Sequence, residues 1–331
     1  MTDLSKYLST FLLEYLPNER RASLRTREAY AYAFQLLVCF AADRMKISPS
    51  KLKIEYLDVS LIVDFLNYLE NDRNNSPRTR NARSAAIKAF FRFLEYRLVS
   101  CLDQSRRIHA IPMKTIDEKL VCHLTQEEMQ SVLDAPDPST FLGTRDKAML
   151  HLCFAAGLRV SELIGLHLEQ FTSSPQPTVR VIGKGRRERI LPLWKETAAA
   201  IDAWIAIRSG EKTVPTLFLN ARRQAMTRSG FEYILSKHVK VACLKQPSLS
   251  KKIISPHTLR HTCAMHTLKA THDVRKVSLW LGHADLKSTE IYLRADPSIK
   301  LEMLTENIPP GLRSGTFKAP DKLLAMLKSA Q

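Results

Sequence analysis

Ser255-Pro256-His257-Thr258-Leu259-Arg260-His261, followed by Leu281-Gly282-His283 and then by Tyr292, is the stretch around which the rest of the chain reads. Ser then Pro marks a helix start, with Ser255 as N-cap and Pro256 at the first helical position. His257 and Arg260 stand three residues apart, so they share a face within the first turn. An imidazole and a guanidinium beside unpaired helix N–H groups make a seat for an anion, above all a phosphate. A second histidine, His283, and Tyr292 nine residues beyond it point to phosphate chemistry with a phenolic nucleophile. A phenol of pKa about 10 is a weak nucleophile at neutral pH and needs a base or a strongly electropositive site.

Toward the N-terminus the same requirement finds further candidates. Residues 178–182 and 188–193 are β-rich runs around Gly183-Lys184-Gly185-Arg186-Arg187, a hairpin whose glycines allow tight geometry and which carries Lys184 at its tip. A helix from about Thr140 ends at Gly157, and Arg159 and Glu162 follow at once. Residues 125–128 form a capping box that opens this second region. Other helices are expected over 196–208, 227–241, 256–270 and 272–281, with a short one bearing Tyr292.

The first hundred residues read as helices: 4–16, stopped by Pro17; 24–44; 58–70; and one opening at Ser76-Pro77. Arg78 and Arg80 fall in the first turn of that last helix, where the macrodipole prefers acids. A solvated basic face explains them, and so does a helix end that receives a DNA phosphate. Residues 101–122 lack a periodic pattern and are expected as a basic linker.

Composition bounds the partner. The 331 residues carry 50 Lys+Arg against 33 Asp+Glu, a formal charge of +17, so a polyanion is the natural ligand and nucleic acid the first of them. No apolar run approaches a membrane span and no signal peptide opens the chain, so a cytoplasmic protein without membrane partners is expected. The cysteines at 39, 101, 122, 153, 243 and 263 are scattered and read as reduced, neither a disulfide framework nor a zinc site. His257 and His261 form a His-x-x-x-His pair, but Thr258 stands where a zinc protease has glutamate and no third ligand is evident; no metal is expected.

Arg159, Lys184, His257-x-x-Arg260, Leu-Gly-His283 and Tyr292, in this order, resemble the tyrosine site-specific recombinases, or phage integrase family. The resemblance covers nearly the whole chain and is of the Xer/integrase type, with Tyr292-Leu293-Arg294-Ala295-Asp296 closer to transposon- and plasmid-borne members. It implies a mainly α fold with a small β-hairpin or sheet in the catalytic domain, the two domains closing as a C-shaped clamp on duplex DNA. The implied division is a helical, SAM-like core-binding domain over 1–100, a linker over 101–122, a catalytic domain over 123–305, and a tail over 306–331 with a short docking helix. By resemblance, Tyr292 attacks the scissile phosphate to give a 3′-phosphotyrosyl link and a free 5′-hydroxyl. Arg159 and Arg260 match the arginines that grip the non-bridging oxygens, and His257 the residue that assists proton transfer. His283 matches a phosphate donor, Lys184 the acid that protonates the leaving oxygen, and Glu162 a supporting acid. Arg78, Arg80, Arg83, Arg186 and Arg187 are further candidates for DNA contact.

Bland readings stand beside these. Lys184 lies among Arg186, Arg187 and Arg189, as in a generic phosphate-binding loop, while His283 and Tyr292 also suit a packed core. The resemblance implies no cofactor, a tetramer on two specific DNA sites, a related recombinase or accessory DNA-bending partner, and a bacterial, nucleoid-associated location. A catalytically silent DNA-binding protein of the same fold and a type IB-like topoisomerase are the alternatives. One departure is local: Thr271 stands where the family has a glycine helix stop, so the left-handed turn is expected to shift to His272.

Overall fold

Caps written into the sequence start most of the helices. The computed structural model describes residues 3–117, 120–183, 187–208, 214–283 and 286–295, and the chain divides into two units, Met1–Glu118 and Lys119–Gln331. The fold is mostly helical with one small antiparallel sheet.

The first unit contains α1 (Leu4–Thr10), α2 (Leu24–Met45), α3 (Val59–Asn71), α4 (Pro77–Glu95) and α5 (Leu102–Ala110). Ser23, Asp58 and Ser76 accept the N–H groups of Thr26, Leu61 and Thr79, so α2, α3 and α4 each begin on a side-chain cap. Their apolar faces meet around Phe11, Phe34, Phe65, Phe90 and Phe93, all fully buried. Phe90 stands edge-on to Phe11 and Phe34, with centroids 5.4 and 5.2 Å apart. Each such ring contributes about 1.5–3 kcal/mol through burial.

Three expectations change here. Pro17 does not stop the first helix: α1 runs on into a π-helical turn, Phe11–Glu19, which carries Pro17 inside it. The supposed linker holds α5, which packs on α3 and α4, buries Ser105 and Ile108, and donates from Gln104 Nε2 to the carbonyls of Ile54 and Leu57. Nine residues are too few to display a clear 3.6 period, so tertiary contacts make this helix. Arg80, expected at DNA, is 5% exposed, and its Nε lies 3.3 Å from Glu70. The fourth position of α4 faces the core, and a buried guanidinium has to be paired.

In the second unit come α6 (Gln126–Leu133), α7 (Phe141–Ala155), α8 (Val160–Ile164), β1 (Phe171–Thr172), β2 (Thr178–Ile182), β3 (Glu188–Pro192), α9 (Lys195–Ile207), α10 (Arg228–Lys245), α11 (Pro256–Thr271), α12 (Val274–Leu281) and α13 (Lys287–Ala295). Thr125 and Glu128 close the capping box of α6 reciprocally, at 3.2 and 2.8 Å. The sheet order is β1-β2-β3, antiparallel throughout; the two-residue β1 has no sequence signal. Val179 pairs with Leu191 and Val181 with Arg189, so Arg189 shares the inner face while Ile190 points outward.

The helices that carry the site pack on one another: α11 on α7, α12 and α13, and α12 on α13. Gly157 follows α7 at φ +55, and a Cβ there would lie 2.6 Å from Leu281 Cδ2, so only glycine fits. Helix α11 ends with His272 in the left-handed region, φ 50, in place of the missing glycine. Among the described residues no helix is long and apolar enough to cross a membrane.

Candidate active site

Glu162 organises the site from beneath. Its side chain is 4% exposed, and its carboxylate accepts the Arg159 backbone N–H at 3.0 Å and the Arg159 guanidinium at 2.9 Å. Arg189 Nη2 donates to the same group at 2.8 Å, and Arg260 Nη1 lies 3.9 Å away. Burial alone raises the Glu162 pKa, but the hydrogen bond and charge of Arg189, then those of Arg159, carry it below the ordinary carboxylate value. Three guanidinium groups therefore surround one carboxylate, and the excess positive charge suits an anion.

Arg260 projects from the fifth position of α11 and is 4% exposed. It donates to the carbonyls of Gly157 and Leu281, the second at 2.8 Å, which satisfies acceptors left over at the ends of α7 and α12. A guanidinium has five N–H donors, so three remain. Burial, then Arg159, lowers its pKa to about 10, which leaves it cationic at neutral pH. Arg159 is half-buried at the N-terminus of α8.

His257 stands exposed one residue beyond Pro256. Partial desolvation, then the charges of Arg228, Arg260 and Arg159, lower its pKa, so the imidazole is neutral at pH 7 and able to accept a proton. His283 follows Gly282, which closes α12 at φ +63 where a Cβ would sit 3.0 Å from Arg189 Cδ. Its Nδ1 is 2.7 Å from the Thr289 hydroxyl, which ties the loop to the first turn of α13.

Tyr292 is 1% exposed, its ring nearly parallel to His283 at 6.4 Å and edge-on to His261 at 5.7 Å. Burial pushes the phenol up to about 12 against the opposing charges of Arg260 and Arg159. Its hydroxyl lies 3.0 Å from His261 Nδ1.

The structure thus gathers Arg159, Glu162, His257, Arg260, His283 and Tyr292 into one region of the second unit. Lys184 and Arg186 lie outside the described residues. Arg187 is exposed, and Gly183, just before Lys184, brings the root of the hairpin to within 3.2 Å (from a Cβ built on it) of Glu162 Oε1. In the first unit Arg78 is exposed, whereas Arg83 stacks over Tyr32 and donates to the Ala29 carbonyl at 3.1 Å. Two participants were not singled out from the sequence. In the sequence Arg189 stands among the hairpin cations, but its two-residue spacing from Leu191 puts it on the inner face. The sequence pattern marks His261 only as half of a His-x-x-x-His pair, and among the described residues no cluster able to hold a metal occurs.

Among the described residues, a buried phenol stands beside clustered arginines, an arrangement suited to handling a phosphodiester through a tyrosine. Residues 123–298 match the signature described as "Phage integrase family", and residues 10–98 match "Phage integrase, N-terminal SAM-like domain". The chain belongs to the phage integrase family of tyrosine recombinases. It is 39% identical over 327 residues to a Sinorhizobium fredii protein designated integrase/recombinase y4rC, covering 98% of both chains. It is 33% identical over 293 residues to tyrosine recombinase XerC of Pelobacter propionicus, covering 88% of this chain and 91% of the relative. The solved structure of XerH site-specific recombinase bound to palindromic difH substrate, a post-cleavage complex, shares the fold with a TM-score of 0.66 at 22% identity, covering 90% of this chain and 84% of that one. The protein is a site-specific recombinase that cleaves and rejoins DNA through a phosphotyrosyl intermediate.

Proposed function

We propose that Tyr292 is the nucleophile, attacking a scissile phosphate seated against Arg159 and Arg260. The Tyr292 oxygen bonds to phosphorus, the bond from phosphorus to the 5′-oxygen breaks, and the DNA remains as a 3′-phosphotyrosyl ester. Neutral His257 takes part in moving the phenolic proton, His283 donates to the phosphate, and Lys184 protonates the leaving 5′-oxygen. The roles of His283 and Lys184 rest on the family resemblance. Phosphoryl transfer needs mainly positioning and stabilisation of charge on the equatorial oxygens, which paired arginines supply without a metal. The ester keeps the energy of the broken bond, so attack by a second 5′-hydroxyl reseals DNA without ATP.

One observation carries this reading: Arg159 and Arg260 converge on Glu162 while their charge acts on the buried Tyr292 phenol. The exchange requires two duplexes and four strands, so the acting form is a tetramer on two sites, integrating, excising or resolving a mobile element. In each protomer the first unit serves as the core-binding domain and the second as the catalytic domain, closing as a clamp on DNA. Arg78 is the exposed member of the α4 candidates for phosphate contact.

The amphipathic stretch 321–331, with Leu323, Leu324 and Leu327, is assigned to a neighbouring protomer. A groove of about 900 Å³ lined by Met129, Leu133, Phe154, Trp194, Ala270 and Trp280 offers an apolar seat of matching character. Deleting residues after Gly315 is expected to spare monomer folding and weaken synapsis; unchanged recombination by the truncated protein would refute that role.

The test of the function is covalent trapping on DNA flanking the gene, in EDTA, with wild type and Tyr292→Phe. Wild type is expected to give an adduct that survives denaturation, and the variant to bind without forming one. Binding without an adduct by wild type, on verified element junctions with partner proteins supplied, would establish the DNA-binding-only alternative.

A further inference from the structure

His261 follows Arg260 directly, yet nothing in the proposed reaction uses it. Its Nδ1 is the one hydrogen-bond partner of the Tyr292 hydroxyl among the described residues, at 3.0 Å, and the rings meet at 60°. Tyr292 is buried, so its O–H has to be donated to something, and Nδ1 satisfies it if the imidazole proton sits on Nε2. That arrangement leaves both lone pairs of the phenolic oxygen unengaged.

We propose that His261 is the positioning residue for the nucleophile: it holds the Tyr292 O–H through Nδ1 and so fixes the attacking oxygen. The inference rests on Tyr292 being the attacking group. Helix α11 then carries both parts of the encounter on consecutive residues, Arg260 for the phosphate and His261 for the phenol. Because α11 is anchored by the Arg260 bonds to Gly157 and Leu281, the phenol takes its place from the same rigid element as the phosphate seat. The Tyr292 ring also lies nearly parallel to that of His283, 6.4 Å between centroids, and His283 is itself fixed to Thr289.

A role as general base fits less well. Burial, then the charges of His257, Arg260 and His123, push His261 down to about 4, whereas Tyr292 stands at about 12. Both shifts run against proton transfer from the phenol to this imidazole. The neutral imidazole acts as an acceptor that orients the hydroxyl, and the proton leaves by another route during attack.

The test uses the full-length protein on a nicked DNA substrate that traps the covalent adduct, with wild type and Tyr292→Phe as references. His261→Phe keeps the ring and removes the acceptor; His261→Asn places an amide oxygen near the position of Nδ1. We expect single-turnover cleavage by His261→Phe to fall at least about tenfold, the scale of one lost hydrogen bond, with DNA affinity close to wild type and a thermal midpoint lower by only a few degrees as the buried O–H loses its acceptor. His261→Asn should recover most of the rate, which a purely structural role would not produce. If His261→Phe does not fold, His261→Gln, with its amide on the Nε2 side, replaces it as the variant without the acceptor. Cleavage at the wild-type rate by a folded variant lacking the acceptor, or no rescue by Asn, would overturn the inference alone. Faster cleavage would also overturn it and make the bond a restraint on Tyr292. An adduct that persists in Tyr292→Phe would instead strike the functional reading itself.

Discussion

Replacing Glu162 by Gln removes one charge from beneath three arginines while keeping nearly the same shape. The carboxylate is 4% exposed and accepts bonds of 2.8–3.0 Å from Arg159 and Arg189, with Arg260 3.9 Å away. An amide retains one acceptor oxygen, but its NH₂ then faces guanidinium donors, and the cations repel one another without compensation. Breaking a buried ion pair from one side costs about 3–5 kcal/mol, and the retained acceptor puts this case near 3. For a unit of this size, 1 kcal/mol shifts the melting midpoint by about 2–4 °C, so calorimetry should place the second unit about 6–12 °C lower. The effect has a pH signature. The folded pKa of Glu162 is depressed, so its stabilisation is fully present above the unfolded value near 4.5 and is lost as pH falls through the folded one. The gap between wild type and variant should hold from pH 8 to about 5 and narrow below about 4. A midpoint change under about 2 °C at neutral pH, or a gap that widens in acid, would refute the electrostatic role. A double-mutant cycle with Arg189→Met should return a coupling of at least about 1 kcal/mol.

Other expectations separate structural from DNA-facing residues. Arg80→Ala should cost about 1–2 kcal/mol of stability in the first unit, because it empties a buried site while Glu70 keeps Lys114 at 2.6 Å, whereas Arg78→Ala should leave stability unchanged and lower the salt slope of DNA binding by about 1; denaturant titration and binding isotherms at several salt concentrations tell them apart. Gly157→Ala should destabilise the second unit by about 2–4 kcal/mol, because it adds left-handed strain to a close contact with Leu281 and moves the carbonyl that Arg260 uses; chemical denaturation measures the loss. In native protein near pH 7.5, iodoacetamide should label exposed Cys39 and Cys122 while sparing Cys153 and Cys263, whose thiols burial pushes up to about 12 and about 11; peptide mass spectrometry gives the pattern.

How far the sequence carried the structure depended on whether its signals were local. Ser76-Pro77, Thr125 with Glu128, and Ser255-Pro256 each write a helix start within four residues, and all three helices begin there. The turn moved to His272 was legible for the same reason, since Thr271 tolerates left-handed geometry poorly. Helix α5 was not, because its stability comes from contacts with residues 50 positions away, such as Gln104 to Ile54. Arg80 was misread because its partner, Glu70, lies on another helix. The motif spacing marks Arg159, Arg260, His283 and Tyr292 as a set. That Glu162 joins Arg159 to Arg189, and that Tyr292 rests on His261, are side-chain meetings across elements, which no local pattern encodes.

The most direct test of the central claim is to map the covalent bond itself. Adduct trapped in EDTA is digested with nuclease and protease, and the nucleotide-bearing peptide is sequenced by tandem mass spectrometry. The account predicts a residual nucleotide esterified through its 3′-phosphate to Tyr292. A nucleotide on any other residue, or joined through a 5′-phosphate, would contradict it.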